Sequence, residues 1–163
     1  MRGCYPQRWR SRGGFSLTET ILLISIIGIL GVSAAPRLLD LGTTDARIFH
    51  RETLAALRYA RKLAVSSHCS VEFDFTTSGF GVLQRSSCSS GSYSQTVFDP
   101  ATGVAGYSAT GPDGITLTST LDPLYFDALG RVVDSTGTAT DVTISIGGIG
   151  ITALGESGFI YVP

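Results

Sequence analysis

Residues 13–36 read GGFSLTETILLISIIGILGVSAAP, and the interpretation of this stretch decides how the rest of the chain is understood. A short basic leader runs into a long apolar segment in which Glu19 is the only charged residue. As a helix, residues 15–36 would measure about 33 Å, enough to cross a hydrocarbon core. A carboxylate at mid-bilayer costs about 2.5–3.5 kcal/mol on insertion scales, so its retention points to a function beyond anchoring. Two plainer readings compete: an ordinary anchor, and a cleavable secretory signal with Val32-Ser33-Ala34 as its small-residue site. Cleavage after Ala34 would fall right beside Pro36 and would leave Glu19 without a role. Pro36 removes one backbone donor and crowds the preceding turn, which predicts a kinked or loosened helix rather than its end. Gly28 and Gly31 each weaken the segment by up to about 1 kcal/mol relative to alanine.

Outward from this run, charge is distributed unevenly. Residues 1–14 carry Arg2, Arg8, Arg10 and Arg12 and no acid, the asymmetry that keeps an N-terminus cytoplasmic. The chain has 12 Lys+Arg and 13 Asp+Glu, so loss of those four arginines leaves 8 against 13, a charge of −5. After residue 70, only Arg85 and Arg131 face nine acids. With 163 residues there is room for one domain beyond the N-terminal segment. Its 20 glycines point to a turn-rich β body rather than a helical bundle.

From Arg37 to Ser67 the periodicity is helical. Phe49, Ala56, Leu57, Ala60, Leu63 and Ala64 share an apolar face, while Arg47, His50, Arg51, Arg58 and Lys62 are read as the polar side. Asp40 to Thr44 interrupts the pattern, predicting a break near Gly42. Beyond Ser67 the period becomes two. Val71–Phe75 alternates as a half-buried strand, and Phe80–Gln84 pairs back across a turn. Residues 86–94 form a polar loop, and Gly111–Gly114 a turn before a strand at 115–118. Leu124–Phe126 and Arg131–Val133 make a second hairpin, and strands at 142–146, 151–153 and 158–162 are expected to complete one sheet. The fold class predicted is α+β, a long helix packed on an antiparallel sheet.

The Gly14-Phe15 junction, Glu19 and Pro36 together resemble the class III leader and N-terminal helix of type IV pilins and type II secretion pseudopilins. The resemblance implies cleavage after Gly14 by a prepilin peptidase, a mature N-terminus at Phe15 that is N-methylated, and Glu19 as the fifth residue and assembly determinant. Gly28 and Pro36 fall where the family often places a glycine and a proline that confer flexibility. Ser16-Leu17-Thr18 departs from the commoner Thr-Leu-Val or Thr-Leu-Ile. Leu54–Ser67 (LAALRYARKLAVSS) followed by a cysteine, and Tyr125–Arg131 (YFDALGR), make the head similar to the GspH/FimT type, above all to MSHA pilus minor pilins.

That resemblance implies a lollipop-shaped subunit with four parts: a cleaved leader (1–14), a hydrophobic transmembrane and assembly helix (15–36), an amphipathic periplasmic helix (37–67) and a β-rich head (68–163). Its implied partners are the prepilin peptidase, other pilin or pseudopilin subunits and an inner-membrane assembly platform. It would be a single-pass inner-membrane protein with a periplasmic head, reaching the cell surface after assembly, where MSHA-type pili support adhesion. Cys4 would leave with the leader, so Cys69 and Cys88 are the remaining pair on the oxidising side. A bridge between them is expected, against the alternative of two unrelated buried thiols.

Other functions find little support in the residues. His68-Cys69 is a poor catalytic dyad because neighbours on a strand point to opposite faces, and no enzyme is expected. No Asp-x-Asp-x-Asp-Gly run offers a calcium loop, and neither metal nor cofactor is expected. Some FimT-like pilins bind DNA, but an acidic body with no Lys or Arg after Arg131 makes nucleic acid a poor partner.

Overall fold

A computed structural model describes residues 16–38, 41–88 and 90–163, with residues 31–38 and 41–43 by backbone alone. The leader, Gly14 and Phe15 lie outside the described residues. The chain divides into an N-terminal unit ending at Asp40 and a body from Leu41 to Pro163.

In the N-terminal unit, helix α1 (Leu17–Leu38) carries Glu19 in its first turn and continues two residues past Pro36. Ser16 begins it, its carbonyl accepting the amides of Glu19 (3.0 Å) and Thr20 (3.1 Å). From Leu17 to Leu30 every side chain is exposed, Leu17 by 75% and Ile29 by 70%.

In the body, helix α2 (Leu41–Ser67) precedes ten strands among the described residues. Gly42 falls in its first turn. The first sheet contains β1 (Val71–Thr76), β2 (Gly79–Arg85), β3 (Tyr93–Thr96), β4 (Ser108–Thr110), β6 (Leu124–Phe126) and β7 (Val132–Val133). Its order is β3-β2-β1-β6-β7, with β4 also on β2, and its described pairings are antiparallel. The second runs β10-β9-β8-β5, from β5 (Leu117–Ser119), β8 (Val142–Ile146), β9 (Ile149–Ala153) and β10 (Ile160–Tyr161).

The expectation of a single sheet is therefore corrected: the strands form two, and α2 packs on strands of both. Two short strands also escaped the sequence. Tyr93–Thr96 pairs with β2 where the end of a polar loop was expected, and Ser108–Thr110 lies in a stretch with no strand signal. Both are exposed edge segments held by backbone pairing to β2, so no buried alternation marks them.

The helix–sheet contact follows from the apolar stripe. Phe49, Ala56, Leu57, Ala60 and Ala64 are buried, as are Val71, Phe73 and Phe75 on the inner face of β1. The small alanines let the strands approach closely, and an aromatic cluster fills the wider part. Phe73 and Phe80 rings lie 5.0 Å apart, and Tyr107 meets Phe80 edge-on at 6.0 Å. His50, read as part of the polar side, is instead 5% exposed and bonded at 3.3 Å to the carbonyl of Gly150 in β9. A carbonyl only accepts, so Nε2 carries the proton in that bond. The second sheet, which the helical period could not reveal, is what covers this side of α2.

Candidate functional site

Three regions bear on function, and each is built from a local rule of the chain. The first is the opening turn of α1. Ser16 precedes the helix and Glu19 is its third residue, a spacing that places the carboxylate where the helix dipole favours a negative charge. Glu19 is exposed in the described chain. Two hydroxyls of this apolar helix are satisfied internally: Thr20 donates to the Ser16 carbonyl (3.3 Å) and Ser25 to that of Ile21 (2.8 Å). Back-bonding of this kind leaves these two hydroxyls without need of water. A methyl group added at Gly28 would meet nothing within 4 Å, so packing within the chain does not require glycine there. Among the described residues no helix is long and apolar enough to cross a membrane. The expected span of 15–36 includes Phe15 and the side chains of 31–36, which lie outside them, as does the side chain of Pro36.

The second region is the end of α2. His68 takes φ 56°, the left-handed turn that terminates the helix and redirects the chain into β1. The Ser67 hydroxyl donates to the Leu63 carbonyl (2.6 Å) and receives bonds from Gln84 Nε2 (2.7 Å) and the Cys69 amide (3.3 Å). This knot sets Cys69 beside the loop after β2, where it forms a disulfide with Cys88 across a sequence separation of 19.

The third region joins the two head stretches that carried the resemblance. Asp127 closes the β6–β7 turn: its Oδ1 accepts the amides of Leu129 and Arg131, both at 2.9 Å, and its Oδ2 accepts Arg131 Nε at 2.8 Å. The turn passes through Gly130 at φ 78° and lies against Gly158 at φ 61°. A Cβ at Gly158 would collide with the Gly130 carbonyl, so glycine is required there by both conformation and space. Into this junction α2 sends Arg61, which donates through Nε to Gly130 (3.1 Å) and through Nη2 to the Ser157 carbonyl (2.9 Å). Arg61 has no assigned role in the sequence. The available signal was a guanidinium one position after Ala60, whose side chain is fully buried.

On the outer face of β1, Glu72 and Asp74 both have carboxyls held above their ordinary range, in each case chiefly by desolvation. Asp74 adds to the effect on Glu72 and Asp122 to that on Asp74, while a hydrogen bond from Tyr125 partly offsets the shift of Glu72. Asp99 and Asp134 move the opposite way. Each accepts a threonine hydroxyl, from Thr102 and Thr136 respectively, along with loop amides, which favours the charged form. Among the described residues no group of three or more His, Cys, Asp or Glu is placed to hold a metal.

No family model matches the sequence, and no curated protein matches it. Solved structures do. The minor pseudopilin EpsH of the Vibrio cholerae type II secretion system matches with a TM-score of 0.57 at 17% identity, over 74% of this chain and 96% of that one. The type IV minor pilin FimU of Pseudomonas aeruginosa PAO1 matches with a TM-score of 0.51 at 21% identity, over 74% of this chain and 91% of that one. At such identities the likeness is one of fold: α+β, with α2 on antiparallel strands as in minor pilins and pseudopilins.

Proposed function

We propose that this chain is a minor subunit of a type IV pilus of the MSHA kind, MshC-like, which primes or enters the fibre and supports adhesion. In this reading the prepilin peptidase cuts after Gly14, and the new Phe15 amine is methylated. The subunit then waits in the inner membrane with its body in the periplasm until an assembly platform moves it into the fibre. It is a structural part and not an enzyme. One observation carries the reading: an uncovered apolar helix with a single carboxylate in its first turn is attached to a body with the minor pilin and pseudopilin fold.

The role of Glu19 follows from its energetic cost. In lipid, the carboxylate sits near the start of the helix, within reach of the interface. In a fibre core it loses water and must be neutralised or paired. The Phe15 amine of an adjacent subunit supplies the cation, and cleavage creates it, so processing must precede assembly. Glu19→Ala is expected to remain cleaved and membrane-inserted yet to be poorly recovered in sheared pili, because it strands a charged amine in an apolar core. Glu19→Asp should retain part of the wild-type level. Intact mass of the membrane-extracted protein should begin at Phe15. An N-terminus at Ala35, or wild-type recovery of Glu19→Ala, defeats the proposal.

A second reading, a GspH-type minor pseudopilin of a type II secretion system, draws on the EpsH likeness. Adjacent genes for an MSHA-type assembly ATPase would favour the pilus, whereas a type II secretin with further pseudopilins would favour secretion.

A further inference from the structure

Past residue 70 the chain has two basic side chains among nine acids, and the fold brings both to one place. Arg85, at the end of β2, and Arg131, at the start of the β7 hairpin arm, line a single concavity of about 390 Å³ together with Tyr93, Tyr125, Asp127 and Asp134.

Asp127 spends both of its carboxylate oxygens within the protein, and Asp134 spends its Oδ1. Asp127 is saturated by the Leu129 and Arg131 amides and by the Arg131 guanidinium, whose Nη2 also lies 2.8 Å away. Asp134 Oδ1 takes the Thr136 amide and hydroxyl and the Thr138 amide, at 2.6–2.9 Å. The donors are less fully used. Arg85 gives Nε to the Gly91 carbonyl at 3.2 Å, and Arg131 gives Nε and Nη2 to Asp127. The other guanidinium nitrogens and the Tyr93 hydroxyl have no hydrogen-bond partner among the described residues. A groove with surplus guanidinium and hydroxyl donors fits a ligand that accepts, and a planar carboxylate matches the guanidinium fork.

The aromatic groups narrow the ligand class. The Tyr93 ring has the Arg85 guanidinium 5.2 Å from its centroid and the Tyr125 ring at 4.9 Å. Its surface is engaged within the protein rather than free as a platform for a sugar ring. Tyrosine and arginine packed together are also the residues that dominate protein–protein hot spots. The disulfide loop holds this arrangement: Arg85 lies three residues before Cys88, and the Ser86 amide closes the loop on the Ser92 carbonyl at 2.9 Å.

We propose that the Arg85–Arg131 groove binds a carboxylate presented by an acidic segment of a partner protein. Placing that partner in the same fibre rests on the pilus-subunit reading, whereas the chemistry of the groove does not. The test uses the full chain in detergent micelles and a fluorescein-labelled peptide of alternating Asp and Gly, with its Asn counterpart as control, followed by fluorescence anisotropy. The Asp peptide should bind saturably and the Asn peptide about tenfold or more weakly. Arg85→Gln should weaken the Asp peptide by a similar factor while the chain still melts cooperatively, and Arg85→Lys should restore part of the loss. Arg51→Gln, on the basic side of α2, should leave binding unchanged. The proposal is overturned by equal binding of the two peptides, by unaltered binding to Arg85→Gln, by an equal loss in Arg51→Gln, or by an oligoglucuronate that binds where the Asp peptide does not. A mature N-terminus at Phe15 is independent of Arg85, so failure here leaves the subunit reading standing, and the reverse also holds.

Discussion

Arg61 illustrates how a residue to which periodicity gave no role can hold a fold together. Its two carbonyl partners, Gly130 and Ser157, belong to different sheets' connections, so one guanidinium ties α2 to both the β6–β7 turn and the approach to β10. Arg61→Ala should lower stability by roughly 1–3 kcal/mol, since bonds from a charged donor are lost and two carbonyls lose their partner. Arg61→Lys should recover only part of this, because an ammonium lacks the fork that reaches both. Thermal melting of the full chain in detergent distinguishes the three. Titration gives a second residue-level prediction. Glu72 and Asp74 bind protons more readily when folded than unfolded, so their contribution to stability grows as the pH falls from neutral toward and through the carboxylate range. Asp99 and Asp134 do the reverse. Their stabilisation is complete above the ordinary aspartate value of 3.8 and is lost as the pH drops through their lowered folded values. The melting temperature should therefore peak in mild acid, and Glu72→Gln should flatten the rise. A monotonic fall from pH 7 downward would contradict these assignments.

At the scale of elements, α2 is defined by its tertiary neighbours as much as by its period. The alanine stripe was legible because Ala56, Ala60 and Ala64 recur at four-residue steps, and each is fully buried. His50 was not, because a side chain read as polar meets a backbone acceptor that only the second sheet brings near. The hairpins β1–β2 and β6–β7 were legible for a related reason: each alternates or pairs across a short polar turn, and the register Val71↔Gln84 to Thr76↔Gly79 follows from the turn. The disulfide secures the junction between α2 and this first hairpin. Substituting Cys69 or Cys88 by serine should cost about 3 kcal/mol in the chain-entropy account, seen as a lower melting temperature under non-reducing conditions. Non-reducing peptide mapping should recover the Cys69–Cys88 link, and two freely alkylated thiols in the protein isolated without reductant would argue against it.

For the molecule as a whole, charge predicts what the body does not bind. The two arginines after residue 70 are drawn into one groove, and among the described residues the remaining basic side chains lie on α2. Too few phosphates could be neutralised for useful nucleic-acid affinity. In a gel shift at low salt residues 37–163 should show no sub-micromolar DNA binding, and a retarded band at such concentrations would reopen that function. The sequence by itself determined the apolar helix with Glu19, the switch from a period of 3.6 to one of two after Ser67 and the α+β class. These are local properties, because hydrophobic periodicity is written in neighbouring residues. Only the tertiary structure decided that the strands divide into two sheets, that Arg61 meets Gly130 and Ser157, and that Arg85 and Arg131 share a groove. Those facts depend on pairings between residues far apart in the chain, set by packing and backbone hydrogen bonds with no periodic trace in the sequence.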